Sequence, residues 1–209
     1  MLTLYENPGW GSAIVEAQLV FYGLQHRLIS VGDVYDDRAA REALKKINPL
    51  AQLPTLVLGD GQIITESAAM TLLLADLAGS TALAPGPGEV ERPAFLRWLI
   101  YLVAEIYPCF TFGDVPSRFV SDAEGDAYKA RVAAAKMGLW RVMEAEAAQR
   151  GGPWFLGARM TALDVYVMVM VHWSPGEDWF KSEAPRLAAI AARAAGLPTF
   201  APVMQRNFG

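Results

Sequence analysis

The sequence predicts a two-part protein: an α/β first half in the order β-α-β-α-β-β-α, then a wholly helical second half. Three observations carry this. Up to residue 79, short alternating β-prone runs are interleaved with apolar runs at helical spacing. A stretch at 80–89 containing Pro85, Gly86, Pro87 and Gly88 reads as a linker. Beyond it, across 90–209, every strong segment repeats at the helical period. The 209 residues are 53% hydrophobic and 19% charged, which describes a globular chain able to bury a core and excludes a disordered one. A net charge of -4 without any basic block argues against a nucleic-acid partner.

Taken in order, Leu2-Thr-Leu-Tyr5 is a short strand closed by the turn-rich Glu6-Asn-Pro-Gly-Trp-Gly11. Ser12 is expected to cap the helix from Ala13 to Tyr22, which Gly23 ends. Arg27 to Val31 forms the second strand, and Arg38 to Lys46 a charged, solvent-facing helix. A strand–helix–strand start implies a parallel pair, and the later hairpin adds antiparallel strands. The result is a thioredoxin-like subdomain, residues 1–79.

The stretch 47–67 organises this half. Thr55 to Leu58 and Gln62 to Thr65 are β-prone runs joined by Gly59-Asp60-Gly61, a hairpin. Pro54 fits only the first residue of a strand or an edge. It pushes Leu53 towards extended geometry, leaving the Leu53 N–H and C=O open to a ligand. Thr65-Glu66-Ser67 then enters a strong helical run, Ala68 to Leu77. Ser67 therefore lies at a helix N-terminus, where free N–H groups favour a carboxylate, and Glu66 beside it suits an ammonium. Together they make a receptor for the α-amino-acid end of a small peptide.

The second half opens with a long helix from Val90 to Tyr107, expected to be interrupted near Pro108. Residues 122–149 give another helix, stopped at Gly151-Gly-Pro153, and the last helices are expected at 161–173 and 183–195, before a Pro-punctuated tail. Thr161 with Asp164 three residues on is an Asp version of the capping box, preceding the apolar Val165 to Val171, a candidate central helix. Met1 to Glu6 carries no charged region ahead of an apolar core, so no secretory signal is read there. The apolar runs read as broken before bilayer length, which points to a cytoplasmic protein. Cys109 is the single cysteine, so no internal disulfide forms. His26 and His172 lack neighbours at ligand spacing, and no metal is expected.

Asn48-Pro49, Gln52-Leu53-Pro54-Thr55-Leu56 and Thr65-Glu66-Ser67 resemble the glutathione-binding half of the glutathione S-transferase superfamily. The Thr161/Asp164 box resembles the buried capping motif of the same superfamily's helical domain, so the resemblance spans nearly the whole chain. It implies the glutathione S-transferase fold, with a cis Pro54, Leu53 pairing its backbone with the cysteinyl part of glutathione, and Glu66 and Ser67 holding the γ-glutamyl group. Gln52 is a candidate donor to the glycine carboxylate. It also implies glutathione as co-substrate, a small electrophilic acceptor, a role in detoxification, and a homodimer.

Such enzymes lower the pKa of the bound thiol, since the thiolate is the nucleophile. The slot that the serine and cysteine classes give to their active residue holds Trp10 here, which cannot accept a hydrogen bond and reads as a pocket wall. Ser12, through its hydroxyl or its main-chain N–H, is the first catalytic candidate; Tyr5 is the second, and Asn7 offers an amide. Trp98, Tyr101 and Tyr107 are candidates, with Trp10, for the acceptor pocket. Two alternatives stand beside the transferase: a binding or scaffolding module that has lost its activating residue, and a glutathione-dependent disulfide reductase or peroxidase.

Overall fold

The computed structural model describes all 209 residues. They form two compact units, Met1–Ala84 with Ala192–Gly209, and Pro85–Ala191. The C-terminal segment, which the sequence groups with the helical half, thus belongs to the first unit.

The first unit is built on a four-stranded sheet in the order β2-β1-β3-β4. Its strands are β1 (Leu2–Glu6), β2 (His26–Ser30), β3 (Thr55–Val57) and β4 (Ile63–Ile64). β1 runs parallel to β2 and antiparallel to β3, and β3 pairs antiparallel with β4. The helices are α1 (Ser12–Phe21), α2 (Arg38–Lys45) and α3 (Ser67–Ala78). This is the thioredoxin-like order read from the sequence. Alternation along β1 sends Leu2 and Leu4 into a cluster with Val15, Leu19, Leu56, Met70 and Leu74. On the other side Tyr5 joins Val34, Leu44 and Ala51 with Trp10 and Leu53. α2 contributes only Leu44 as a buried residue, as its charged sequence foretells. α1 and α3 both end in Schellman motifs: Leu24 N–H reaches Leu19 C=O at 3.0 Å, and Ser80 N–H reaches Ala75 C=O at 3.1 Å. Each needs a residue at positive φ, which Gly23 (64°) and Gly79 (58°) supply.

The boundary between the units, Ala84 to Pro85, falls inside the stretch 80–89 that the sequence reads as a linker, and part of that stretch is packed. Leu83 to Gly86 are buried, and Glu89 holds both the Gly86 N–H (2.7 Å) and Arg159 (2.6 Å).

The helical unit contains α4 (Arg92–Tyr101), α5 (Tyr107–Asp114), α6 (Gly125–Arg150), α7 (Ala162–Met170), α8 (Glu177–Glu183) and most of α9 (Pro185–Ala195). Pro108 does not interrupt the first helix as expected. A π-helical turn, Leu102–Ile106, joins α4 to α5. Its wider ring, with Tyr107 N–H bonded to Leu102 C=O, makes room for a proline that lacks an N–H and would clash with the preceding turn. The resulting rod, Arg92–Asp114, has 23 residues and is apolar enough by length and composition to cross a membrane, contrary to the expectation of broken apolar runs. Its buried residues are Phe95, Trp98, Leu99, Leu102, Ile106 and Cys109, a single stripe at helical spacing. That is how a bundle helix buries its surface.

α7 is buried along its whole length. Its start carries the capping box: Asp164 Oδ2 accepts the Thr161 N–H (2.7 Å) and Oδ1 accepts the Phe155 N–H (2.7 Å). Burial pushes the Asp164 carboxyl up to about 6, against the pull of these hydrogen bonds.

Two further differences concern helix starts. α8 begins at Glu177, right after Pro175-Gly176, and the Pro-punctuated tail folds as α10 (Ala201–Phe208). Pro202 lies in the first turn of α10, where a missing N–H costs nothing.

Candidate functional site

Strand register gathers the candidate segments at one end of the first unit's sheet. Tyr5 of β1 stands opposite Thr55 of β3, and Leu56 opposite Ile64 of β4. Continuing those pairings sets Pro54 opposite both Glu6 and Glu66. The exit of β1, the entry of β3 and the exit of β4 therefore meet, and the starts of α1 and α3 follow directly from two of them.

The β3 entry is fixed from beneath by Asn48, a buried residue. Its Nδ2 donates to Gln52 C=O and to Thr55 Oγ1, both at 3.0 Å, and its Oδ1 accepts the Leu50 N–H at 3.1 Å. Thr55 Oγ1 donates to the same Gln52 carbonyl at 2.8 Å. The loop is thereby held without help from Leu53, whose N–H and C=O make no hydrogen bond within the protein. The Leu53–Pro54 bond is cis, as the resemblance implies. Gln52 is an exposed residue whose carbonyl is already committed to Asn48 and Thr55.

At the β4 exit, Glu66 is the N-cap of α3, with φ 66° and ψ 104°. A side chain in that region strains the backbone, and such strain collects at functional sites. Nothing in the fold rewards it: the Glu66 carboxylate is exposed and makes no capping hydrogen bond. Ser67 is the first residue of α3, and its carbonyl is tied by Thr71 Oγ1 (3.0 Å), which in turn accepts from Gln18 Nε2 of α1 (3.1 Å). A free carboxylate, a serine hydroxyl and the opening N–H groups of α3 are thus neighbours along the chain.

The β1–α1 loop departs from expectation. Ser12 is not the helix cap; Gly11 takes that position, and Ser12 is the first helical residue. Its side chain is fully buried, and its hydroxyl accepts the Asn7 N–H (3.2 Å) and donates to the Asn7 C=O (3.1 Å). The hydroxyl is consumed in closing the loop. The Trp10 N–H is bonded to Asn7 C=O and the next bonded N–H groups are those of Ala13 and Ile14, which leaves the Gly11 and Ser12 N–H groups without a protein partner. Tyr5 is half-buried in the apolar cluster with Leu53 and Trp10, and Trp10 stacks on Tyr35 with ring centroids 5.2 Å apart.

Sequence reasoning missed what holds this loop from outside. Arg206 of α10 donates to Glu6 Oε2 (3.0 Å) and Glu16 Oε1 (2.8 Å), with a further short bond to Glu16 Oε2. Asn207 accepts the Gly9 N–H (3.0 Å) and donates to Glu16 Oε2 (3.0 Å). Glu16 was the available signal: a lone carboxylate in an otherwise apolar stretch of α1 needs a buried partner.

In the helical unit the acceptor-pocket candidates part company. Trp98 is a core residue, 1% exposed and edge-on to Tyr101 and Phe155, which removes it from the surfaces a substrate touches. Tyr101 is half-buried and donates its hydroxyl to Leu139 C=O (3.1 Å). Tyr107 is half-buried and packs edge-on to Phe110 and Trp173. Burial pushes the Cys109 thiol up, and the thiol donates to Glu105 C=O. His26 is bonded to Leu24 C=O (2.8 Å) and His172 to Glu177 (2.9 Å).

Known proteins match this architecture along its length. The family described as "Glutathione S-transferase, N-terminal domain" matches residues 15–77. The "uncharacterized GST-like protein YncG" of Escherichia coli (strain K12) is 37% identical over 207 residues, covering 99% of this chain and 98% of its own. The glutathione S-transferase GstA of Escherichia coli O157:H7 is 25% identical over 200 residues, covering 94% of each. Among solved structures, that of a sphingomonad glutathione S-transferase complexed with glutathione superposes with a TM-score of 0.79 at 27% identity, over 97% of each chain. The ternary complex of BphK, a bacterial GST, superposes with a TM-score of 0.81 at 25% identity, over 97% of this chain and 98% of that one. With an α/β unit of this topology, a helical unit, and such similarity over nearly the whole length, the chain belongs to the glutathione S-transferase superfamily.

Proposed function

We propose that this protein binds glutathione at the sheet end of its first unit and activates the thiol for attack on a small electrophile. The observation that carries the reading is the convergence of three segments whose polar groups the fold does not use: the Leu53 main chain, the Glu66 carboxylate beside Ser67, and the opening N–H groups of α1. Glutathione presents matching groups. Its γ-glutamyl ammonium suits Glu66, and its α-carboxylate suits Ser67 and the α3 N-terminus. Its cysteinyl amide can pair with Leu53, and its glycine carboxylate can take the exposed Gln52.

The thiol then falls to the β1–α1 loop. A thiolate accepting hydrogen bonds from the Gly11 or Ser12 N–H, or from the Asn7 amide, is favoured over the thiol. A hydrogen bond to a charged group contributes about 1.5–3 kcal/mol, which lowers a thiol pKa by about one to two units. In this reading Ser12 acts through its N–H, its hydroxyl serving to hold Asn7. The thiol loses its proton to water; the thiolate sulfur forms a bond to an electrophilic carbon, and the leaving group departs with the bonding pair.

One observation favours a second reading, a peptide-holding module without catalysis: Trp10 stands where other classes place an active hydroxyl or thiol, and the Ser12 hydroxyl is occupied. The family reading also implies a homodimer, which light scattering tests. Calorimetry with glutathione and with cysteinylglycine, which lacks the γ-glutamyl group, tests the site. The proposal expects glutathione to bind at least tenfold more tightly, with the difference lost in Glu66→Ala; equal affinities would overturn it.

A further inference from the structure

We infer that Asn207 and Arg206, consecutive residues of the C-terminal helix α10, are positioning residues that set the geometry of the thiol-facing β1–α1 loop. The inference rests on the glutathione reading above and adds to it a part of the chain that touches no substrate group. Three successive pieces of the first unit are fastened to these two side chains. Arg206 takes Glu6, the last residue of β1; Asn207 takes Gly9, at the loop's apex; and both take Glu16, on α1. Arg206 reaches in from the surface, and the groups it and Asn207 fasten are buried. Glu6 is 3% exposed, Glu16 4% and Asn207 8%.

The chemistry of these groups explains why α10 has to be there. Two carboxylates out of water demand a cation with enough donors for both, and a guanidinium fork meets that demand where an ammonium does not. Asn207 offers an acceptor to the Gly9 N–H and a donor to Glu16 at once, which among side chains of this length is an amide's property. Gly9 itself has φ 77°, and a Cβ there would approach the Asn207 carbonyl to 3.3 Å, so loop and helix are closely fitted. From within, the loop is closed by Ser12 on Asn7; from without, by Asn207 on Gly9. Every donor proposed to face the thiolate, from Asn7 to Ser12, lies inside that span. Donors aimed in advance stabilise charge far better than donors that must be reoriented. Glu6 adjoins Asn7, so Arg206 also neutralises a carboxylate next to the place where a thiolate is to be held.

The residues that receive the γ-glutamyl end, Glu66 and Ser67, are fastened by other means, through Thr71 and Gln18. Loosening α10 should therefore separate two properties that a general loss of fold would move together: affinity for the peptide and ionisation of its thiol.

The experiment compares wild type with Asn207→Ala in the full chain. Binding of S-methylglutathione, which has no ionisable thiol, is measured by calorimetry. The thiol of bound glutathione is titrated by its thiolate absorbance, and thermal unfolding checks that the variant is folded. The inference expects S-methylglutathione affinity to stay within about threefold, while the thiolate fraction at neutral pH falls about three- to tenfold, a rise of about half to one pKa unit. An unchanged thiol titration in the variant would overturn it, whatever happened to affinity. Where Asn207→Ala does not fold, Arg206→Lys replaces it: the charge stays but the fork is lost, and the same split is expected. Failure of wild type to bind S-methylglutathione would instead refute the glutathione reading, so the two failures appear in different proteins.

Discussion

Replacing Glu66 should move stability and binding in opposite directions. Glu66 holds φ 66° and ψ 104°, where an L side chain costs about 1–3 kcal/mol, and its carboxylate is exposed and makes no capping hydrogen bond that would offset this. Glycine relieves the strain but brings back about 0.5–1 kcal/mol of backbone entropy, so Glu66→Gly should stabilise the protein by roughly 1 kcal/mol. For a chain of this size that is a rise of about 2–4 °C in Tm. Alanine keeps the Cβ and hence the strain, so Glu66→Ala should stay within about 0.5 kcal/mol of wild type. Both substitutions remove the proposed ammonium acceptor, a charge-assisted bond of about 1.5–2 kcal/mol, so both should weaken glutathione about ten- to thirtyfold. Differential scanning calorimetry and isothermal titration on the same three proteins give both quantities. A Tm for the glycine variant at or below that of the alanine variant would refute the strain argument. Wild-type affinity in both variants would refute the assignment of Glu66.

Asn48→Ala should cost about 1–3 kcal/mol, because it removes the buried amide that bonds Gln52 C=O, Thr55 Oγ1 and the Leu50 N–H and leaves Thr55 only its bond to Gln52, and it should also weaken glutathione by releasing the Leu53 loop; urea unfolding and calorimetry check the two effects. Asp164 should give an unusual pH dependence. Its carboxyl holds its proton up to about 6 when folded but only to 3.8 when unfolded, so its stabilisation is fully present below the lower value and lost as pH rises through the higher. The stability difference between wild type and Asp164→Asn should therefore fall by roughly 2 kcal/mol from pH 4 to pH 7, and a rise over that range would contradict the sign. Cys109, buried and with its thiol pushed up, should be alkylated at pH 8 at least tenfold more slowly in the native protein than in urea.

What the sequence made legible follows the range of the forces involved. The change from period-two to helical spacing marks β1, α1, the hairpin and α3, and turn residues such as Gly23 and Gly79 mark where helices stop; these are local effects. The pairing of Thr161 with Asp164 is equally local and is present as read. Register then brings Tyr5, Pro54 and Glu66 to one end of the sheet, as the order of strands requires. The failures are of two kinds. Gly11 displaced Ser12 as the cap because the serine hydroxyl found better partners in the Asn7 main chain, a choice decided by loop geometry. Pro108 was read as an interruption and the end of the chain only as a Pro-punctuated tail, although a π turn absorbs Pro108 and Pro202 suits the first turn of α10. Arg206 was invisible because Glu16 and Glu6 lie 190 and 200 residues away in sequence, and no local pattern joins them. Trp98 shows the reverse error, an aromatic at helical spacing that is simply core.

The central claim, a bound glutathione whose thiol is ionised by the loop between β1 and α1, is tested most directly by titrating the thiolate absorbance of glutathione bound to the wild-type protein. The account predicts saturable binding with a midpoint at least about one unit below that of the free thiol, which lies near 8.5. Binding with a midpoint at the free value would contradict thiol activation and leave a peptide-holding module. Absence of binding would contradict the site itself.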